Sequence, residues 1–172
     1  MRLFTAICFD EGTKNALLRV KNKAENFSEG RFTERENFHL TLVFIGETER
    51  ETEIEAALSE IEFPKFSIKI SGTGTFEKGI LWAGISENEN LRKLREAVFE
   101  KLKNLGFELE EREFVPHITL ARKFKAGNGF SFEEIEKNLP KEPVFASRIS
   151  LMKSESFEGV LRYTEIYSVN LI

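Results

Sequence analysis

Glutamine is absent from this 172-residue chain, tryptophan and cysteine occur once each, and histidine occurs twice. Each scarcity excludes something. One cysteine, Cys8, cannot make an internal disulfide, which predicts a reducing, cytoplasmic location. Cys8 stands in an apolar strand pattern and reads as core rather than as a nucleophile. No apolar stretch approaches the ~20 residues of a membrane span. The amino-terminal apolar run is short and is followed by Asp10 and Glu11, so it does not read as a signal peptide. A soluble chain without a membrane partner is expected. Excess positive charge is missing too. A net charge of −4 argues against a general nucleic-acid coat, which needs a broad basic face, but leaves room for a small basic pocket for one phosphate. The missing glutamine, set against abundant Lys and Glu, hints at a thermophilic source.

What is present is material for a core. Hydrophobic residues make up 41% of the chain, and phenylalanine alone occurs 17 times. Most of these rings read as buried. The length suits one domain or two small, intimate lobes. Apolar patterning predicts strands over 2–9, 38–45, 66–70, 80–86, 114–121, 144–151 and 160–169. Helices are predicted over 13–26, around Ile54–Ile61, from Leu91 to a stop near Gly106, and over 131–139.

The two halves of the chain, about 1–78 and 79–172, superpose at an offset of 78 positions. Leu3 falls on Leu81, Ile7 on Ile85, His39 on His117, Thr41 on Thr119 and Leu42 on Leu120. Chance explains matched apolar residues, but it explains poorly the coincidence of both histidines and both threonines. The pattern is that of a duplicated β-α-β-α-β unit. Mixed connections favour an α+β protein: one bilobal domain of two pseudo-symmetric, antiparallel-rich sheets, helices outside and a groove between.

Each half carries His-x-Thr-Leu on a strand. Side chains at i and i+2 share a face, so His39 points with Thr41 and His117 with Thr119. Two such platforms facing one another surround a small volume with two imidazoles and two hydroxyls. Displacement at phosphorus needs one group to take a proton from the attacking oxygen and another to give one to the leaving oxygen. Imidazole suits both, and hydroxyls can bind the non-bridging oxygens. Arg122 is the candidate cation. Simple alternation aims it away from His117, so it reaches a phosphate only if the strand ends, twists or bulges near Ala121. Otherwise it is a solvated arginine. Phe44 occupies the matching place in the first half. It is either ordinary core or a flat face for a base, with Arg122 holding the phosphate end.

These residues resemble the two-histidine (2H) phosphoesterase superfamily, and within it the RNA 2′,3′-cyclic phosphodiesterase, or 2′-5′ RNA ligase-like, branch. The pieces that match are Arg2-Leu3-Phe4-Thr5-Ala6-Ile7, Asn37-Phe38-His39-Leu40-Thr41-Leu42, Gly46, Gly74-Thr75-Phe76, Leu81-Trp82-Ala83-Gly84, Pro116-His117-Ile118-Thr119-Leu120-Ala121-Arg122, and Tyr163. They span essentially the whole chain. The resemblance implies hydrolysis of RNA 2′,3′-cyclic phosphate ends to 2′-phosphates, with no cofactor and no metal. It implies His117 as base, His39 as acid, and Thr41, Thr119 and Arg122 as phosphate ligands. It also implies reversible 2′-5′ joining of RNA ends.

Rival readings are a zinc site, a non-catalytic binder of cyclic-phosphate RNA ends, and a scaffold with two satisfied core histidines. No His-x-His or Cys cluster supports zinc, which also leaves the matched threonines unexplained. Nothing in the sequence excludes the binder, but it has no need of two proton-transfer groups. A matched pair of histidines argues against the scaffold. The protein is expected to act as a monomer on RNA or an oligonucleotide.

Overall fold

A computed structural model describes residues 1–172. In chain order the elements are β1 (Arg2–Cys8), α1 (Glu11–Glu25), β2 (Ser28–Phe32), a 3-10 turn (Arg35–Asn37), β3 (His39–Glu47), α2 (Glu51–Ser59), β4 (Phe66–Ile68) and β5 (Ile70–Phe76). They continue with β6 (Ile80–Ile85), α3 (Glu89–Asn104), β7 (His117–Ala126), α4 (Phe132–Glu136), β8 (Val144–Ala146), β9 (Arg148–Phe157) and β10 (Val160–Asn170). All ladders are antiparallel. They form two four-stranded sheets, β10-β9-β1-β3 and β2-β7-β6-β5, and a two-stranded pair, β4-β8. This is the bilobal α+β arrangement expected from the sequence. No helix is long and apolar enough to cross a membrane.

Local chemistry sets the boundaries. The Asp10 carboxylate accepts the Thr13 backbone N–H at 2.7 Å, and Asn88 Oδ1 accepts that of Leu91 at 3.0 Å. Both are N-cap bonds, so the main helices begin at residues 11 and 89. Helix α3 ends where Gly106 takes φ +91°, a left-handed step that glycine makes without a Cβ penalty. The apolar stripes of α1 (Leu17, Val20, Ala24) and α3 (Leu91, Leu94, Val98, Leu102) are buried, in one 34-residue core with the outward sheet faces.

Several expectations need correction. Strand β2 was not foreseen, because Ser28-Glu29-Gly30-Arg31-Phe32 is polar and lies at a sheet edge. Strand β7 starts three residues later than expected, after Pro116, which has no N–H to donate to a ladder, and runs on to Ala126. Helix α4 stops at Glu136. The strands predicted over 66–70 and 144–151 each break, at Lys69 and Ser147, and β9 continues to Phe157. The phenylalanines are mainly core, as expected, with Phe32, Phe63, Phe107, Phe114 and Phe130 packed half-buried against it. Phe4, Phe9, Phe38, Phe66, Phe99 and Phe124 are buried, while Phe27, Phe44, Phe132, Phe145 and Phe157 are exposed.

The breaks have a function in the fold. Lys69 and Ser147 are 78 positions apart, as are the capping residues Asp10 and Asn88. At each break the chain leaves the β4-β8 pair and enters the sheet of the opposite half: β5 joins β6 and β7, and β9 joins β1 and β3. Ser67 pairs with Phe145, its own counterpart at that offset, so an approximate twofold axis passes through this rung. Neither half is a lobe by itself, since each sheet draws strands from both.

One stretch departs from the offset. Cys8 pairs with His39, and Gly84 with His117, so β1 and β6 correspond at 76 positions rather than 78. The connection from β6 to the cap of α3 is therefore two residues longer than that from β1 to α1. A shift of two leaves every side chain on the same face, which is why apolar matching in the sequence did not reveal it.

Candidate active site

Strands β3 and β7 pack against each other at the middle of the molecule. Both carry the same irregularity. Thr5 pairs with Val43 and Ala6 with Thr41, skipping Leu42, while Leu81 pairs with Ala121 and Trp82 with Thr119, skipping Leu120. These are β-bulges, with one extra residue on the His-x-Thr strand. Leu42 and Val43 are both buried, as are Leu120 and Ala121. The alternation thus slips by one, and Phe44 and Arg122 come out on the face of the histidines. The bulge that Arg122 requires is present. Threonines pin it: Thr33 donates its N–H to Leu120 O and its hydroxyl to Thr119 O, both at 2.9 Å. In the other sheet Thr5 Oγ1 lies 3.3 Å from Val43 O and accepts the Val43 N–H at 3.1 Å.

The imidazoles are held alike. His39 Nδ1 lies 2.7 Å from Asn37 O, and His117 Nδ1 lies 2.8 Å from Val115 O. A carbonyl only accepts, so each Nδ1 carries the proton and each neutral ring presents Nε2 as a lone pair. Thr41 Oγ1 sits 2.9 Å from His39 Nε2 and donates to it. Asn37 fixes the approach to His39. Its amide donates to Leu161 O at 2.8 Å and accepts the Tyr163 N–H at 3.2 Å, tying β10 to the turn that leads into β3.

Aromatic rings back both imidazoles. Phe4 and Tyr163 lie 4.9 and 5.0 Å from His39, centroid to centroid, and Phe76 lies edge-on 4.8 Å from His117. Strand β10 has no counterpart beside β5, so His39 is the more covered of the two. Burial pushes the His39 pKa down to about 4, against the carbonyl bond, and His117 and Arg122 repel its proton further. Burial lowers His117 as well, with Arg122 again opposing protonation. The charge of Arg122 thus acts on both rings, and this residue is exposed and has no carboxylate partner. Phe44 is 48% exposed, which removes the ordinary-core alternative, and the Arg2 guanidinium stacks on its ring at 4.9 Å.

Cys8 is half-buried on the same face, its sulfur 3.7 Å from that of Met152. Burial raises its pKa, which leaves it a thiol. The roles of Phe4, Arg2, Phe76, Trp82 and Asn37 were not assigned from sequence. All five lie within the pieces that match the family, and parity puts Arg2 and Phe4 on the face of Cys8, which pairs with His39. A cavity flanks each histidine, about 330 Å³ beside His117 and about 240 Å³ beside His39.

A model of the 2′-5′ RNA ligase superfamily matches residues 15–156. The RNA 2′,3′-cyclic phosphodiesterase of Archaeoglobus fulgidus is 35% identical over 128 residues, covering 71% of this chain and 72% of its own. That of Methanocaldococcus jannaschii is 34% identical over 126 residues, covering 71% of each. Among solved structures, E. coli LigT complexed with 3′-AMP is 25% identical with a TM-score of 0.81, covering 99% of this chain and 97% of LigT.

Proposed function

The chain belongs to the 2′-5′ RNA ligase superfamily, and from that membership we propose that it opens the 2′,3′-cyclic phosphate at an RNA end to leave a 2′-phosphate. The observation that carries this is the pair of imidazoles, each locked by a backbone carbonyl so that Nε2 faces the groove. The names and substrates of the relatives agree with it.

His117, whose Nε2 has no protein partner, takes the proton of a water that attacks phosphorus. The bond from phosphorus to the 3′-oxygen breaks, and His39 protonates that oxygen. Thr41, Thr119 and Arg122 hold the non-bridging oxygens, where the developing charge gathers. Phe44 offers a face to the terminal base. Both proton transfers are made by side chains, so the reaction needs neither metal nor cofactor. Run backward with roles exchanged, the same groups break a 2′-5′ bond, and a 5′-hydroxyl in place of water makes one. Both His-x-Thr strands come from one chain, so a monomer in a reducing cytoplasm completes the site.

The test is incubation with a 2′,3′-cyclic-phosphate RNA in excess chelator, with the product identified. A 2′-phosphate is expected, and His39→Ala or His117→Ala should each cost ~10²–10⁴ in rate. Binding without turnover would leave only a binder of cyclic-phosphate ends. A 3′-phosphate would reverse the assigned leaving group. Phe44→Ala should lower affinity for a nucleotide more than for inorganic phosphate.

A further inference from the structure

The approximate twofold predicts matching surroundings for the two histidines, and the surroundings differ. Beside His39 the space is narrowed by Tyr163 and by Arg148 paired to Glu165 at 3.0 Å, all from β9 and β10. Beside His117 no such strand exists. The two extra residues of the β6-α3 connection lie here as well, and Ile85, Glu87 and Asn88 line the larger cavity. Its size lies at the lower end of ordinary ligand pockets.

The floor of that cavity is Trp82, laid flat where two glycines allow it. A Cβ at Gly74 would stand 2.4 Å from Trp82 Cζ2, and one at Gly84 would stand 3.1 Å from Cζ3. Phe76 packs on the indole at 5.3 Å, and Phe114 is in the wall. Arg92, forked onto Glu87 through two bonds of 2.5 and 2.9 Å, adds polar groups at one side. The indole N–H is buried with no acceptor in the protein. An aromatic plane with hydrogen-bonding groups at its margin suits a nucleobase.

We propose that the cavity beside His117 is a nucleoside subsite, taking the base of the RNA strand whose 5′-hydroxyl stands where water stands in hydrolysis. This rests on His117 serving the attacking oxygen. In joining, the 5′-hydroxyl loses its proton to His117 Nε2, its oxygen bonds phosphorus, and the 3′-oxygen leaves with a proton from His39. One diester replaces another, so no co-reactant is consumed. The open side of the pseudo-symmetric groove is then the acceptor side, and the covered side holds the cyclic end.

Trp82 is the only tryptophan, so its fluorescence reports on this cavity alone. Adenosine, which carries a 5′-hydroxyl, should quench it saturably in the wild-type protein. Absence of saturable quenching overturns the proposal without any variant. In Trp82→Leu, the rate of cleaving adenylyl-(2′→5′)-adenosine relative to opening adenosine 2′,3′-cyclic phosphate should fall about tenfold, through KM. An unchanged ratio in a folded variant also overturns the subsite, while leaving the phosphodiesterase reading intact. If the wild-type enzyme opens no cyclic phosphate, that underlying reading fails instead.

Discussion

As the proposed acid, His39 has to change its protonation when substrate arrives, and the size of that change can be worked out. Free, its pKa is pushed down to about 4 by burial, so at pH 7 only about one molecule in a thousand carries the proton that the acid needs. Bringing the pKa to about 7 means stabilising the imidazolium by roughly 4 kcal/mol, at 1.36 kcal/mol per unit. A phosphate charge about 4 Å away, at an effective dielectric near 20, supplies about that much. The prediction is therefore tight coupling: anion binding takes up a proton at His39. Two histidines give two imidazole Cε1–H resonances, and His39→Asn assigns them. In the free protein the His39 signal should titrate near pH 4. With saturating adenosine 2′-phosphate its midpoint should move to roughly 7. A midpoint that stays below about 5 in the saturated complex would refute His39 as the acid.

Three further outcomes follow from the same geometry. His39 is held neutral in the fold and titrates near 6.5 when unfolded, so the unfolded chain binds the extra proton first. Stability from this group is present above pH 6.5 and is lost toward pH 4, by about 3 kcal/mol; urea unfolding across that range should show an acid limb that His39→Asn flattens. Arg122→Ala removes a free cation whose charge acts on both imidazoles and should weaken adenosine 2′-phosphate about 10- to 100-fold in competition binding; unchanged affinity would return Arg122 to the solvent. Gly74→Ala places a methyl 2.4 Å from Trp82 Cζ2, which should cost about 1–3 kcal/mol and shift the tryptophan emission, both read in one thermal melt.

Much of the site was legible because strand parity is a strong constraint. Residues 39 and 41 share a face whatever surrounds them, and so do 117 and 119. Arg122 shows where that constraint ends. Parity alone sent it to the wrong side, and the sequence could say only that a bulge near Ala121 was required. The bulge is stabilised from elsewhere, by Thr33 from beyond β2, and β2 itself was invisible because its polar residues carry no alternation. Phe4 and Tyr163 were visible only as residues that match the family, and their contact with His39 was illegible for a similar reason. They meet His39 only because β9 crosses into the first sheet and brings β10 with it.

The two-residue slip between β1 and β6 lies deeper still. A one-residue shift exchanges the faces of a strand and leaves a trace in the hydrophobic pattern, but a two-residue shift leaves none. It shows only when the ladders are compared: Cys8 opposite His39, Gly84 opposite His117. Its consequence falls in a connection and not in the repeated strands, because the added length runs along the cavity beside His117. Two near-identical halves would present the same surroundings to both ends of a substrate. Here, besides the exchange of Phe44 for Arg122 within the repeated strands, the difference comes from what the repeat does not contain: a longer β6-α3 connection on one side, and on the other the strand β10 that closes over His39. In the proposed reaction, direction is therefore set by the parts that break the symmetry, while the symmetric parts supply the proton-transfer groups.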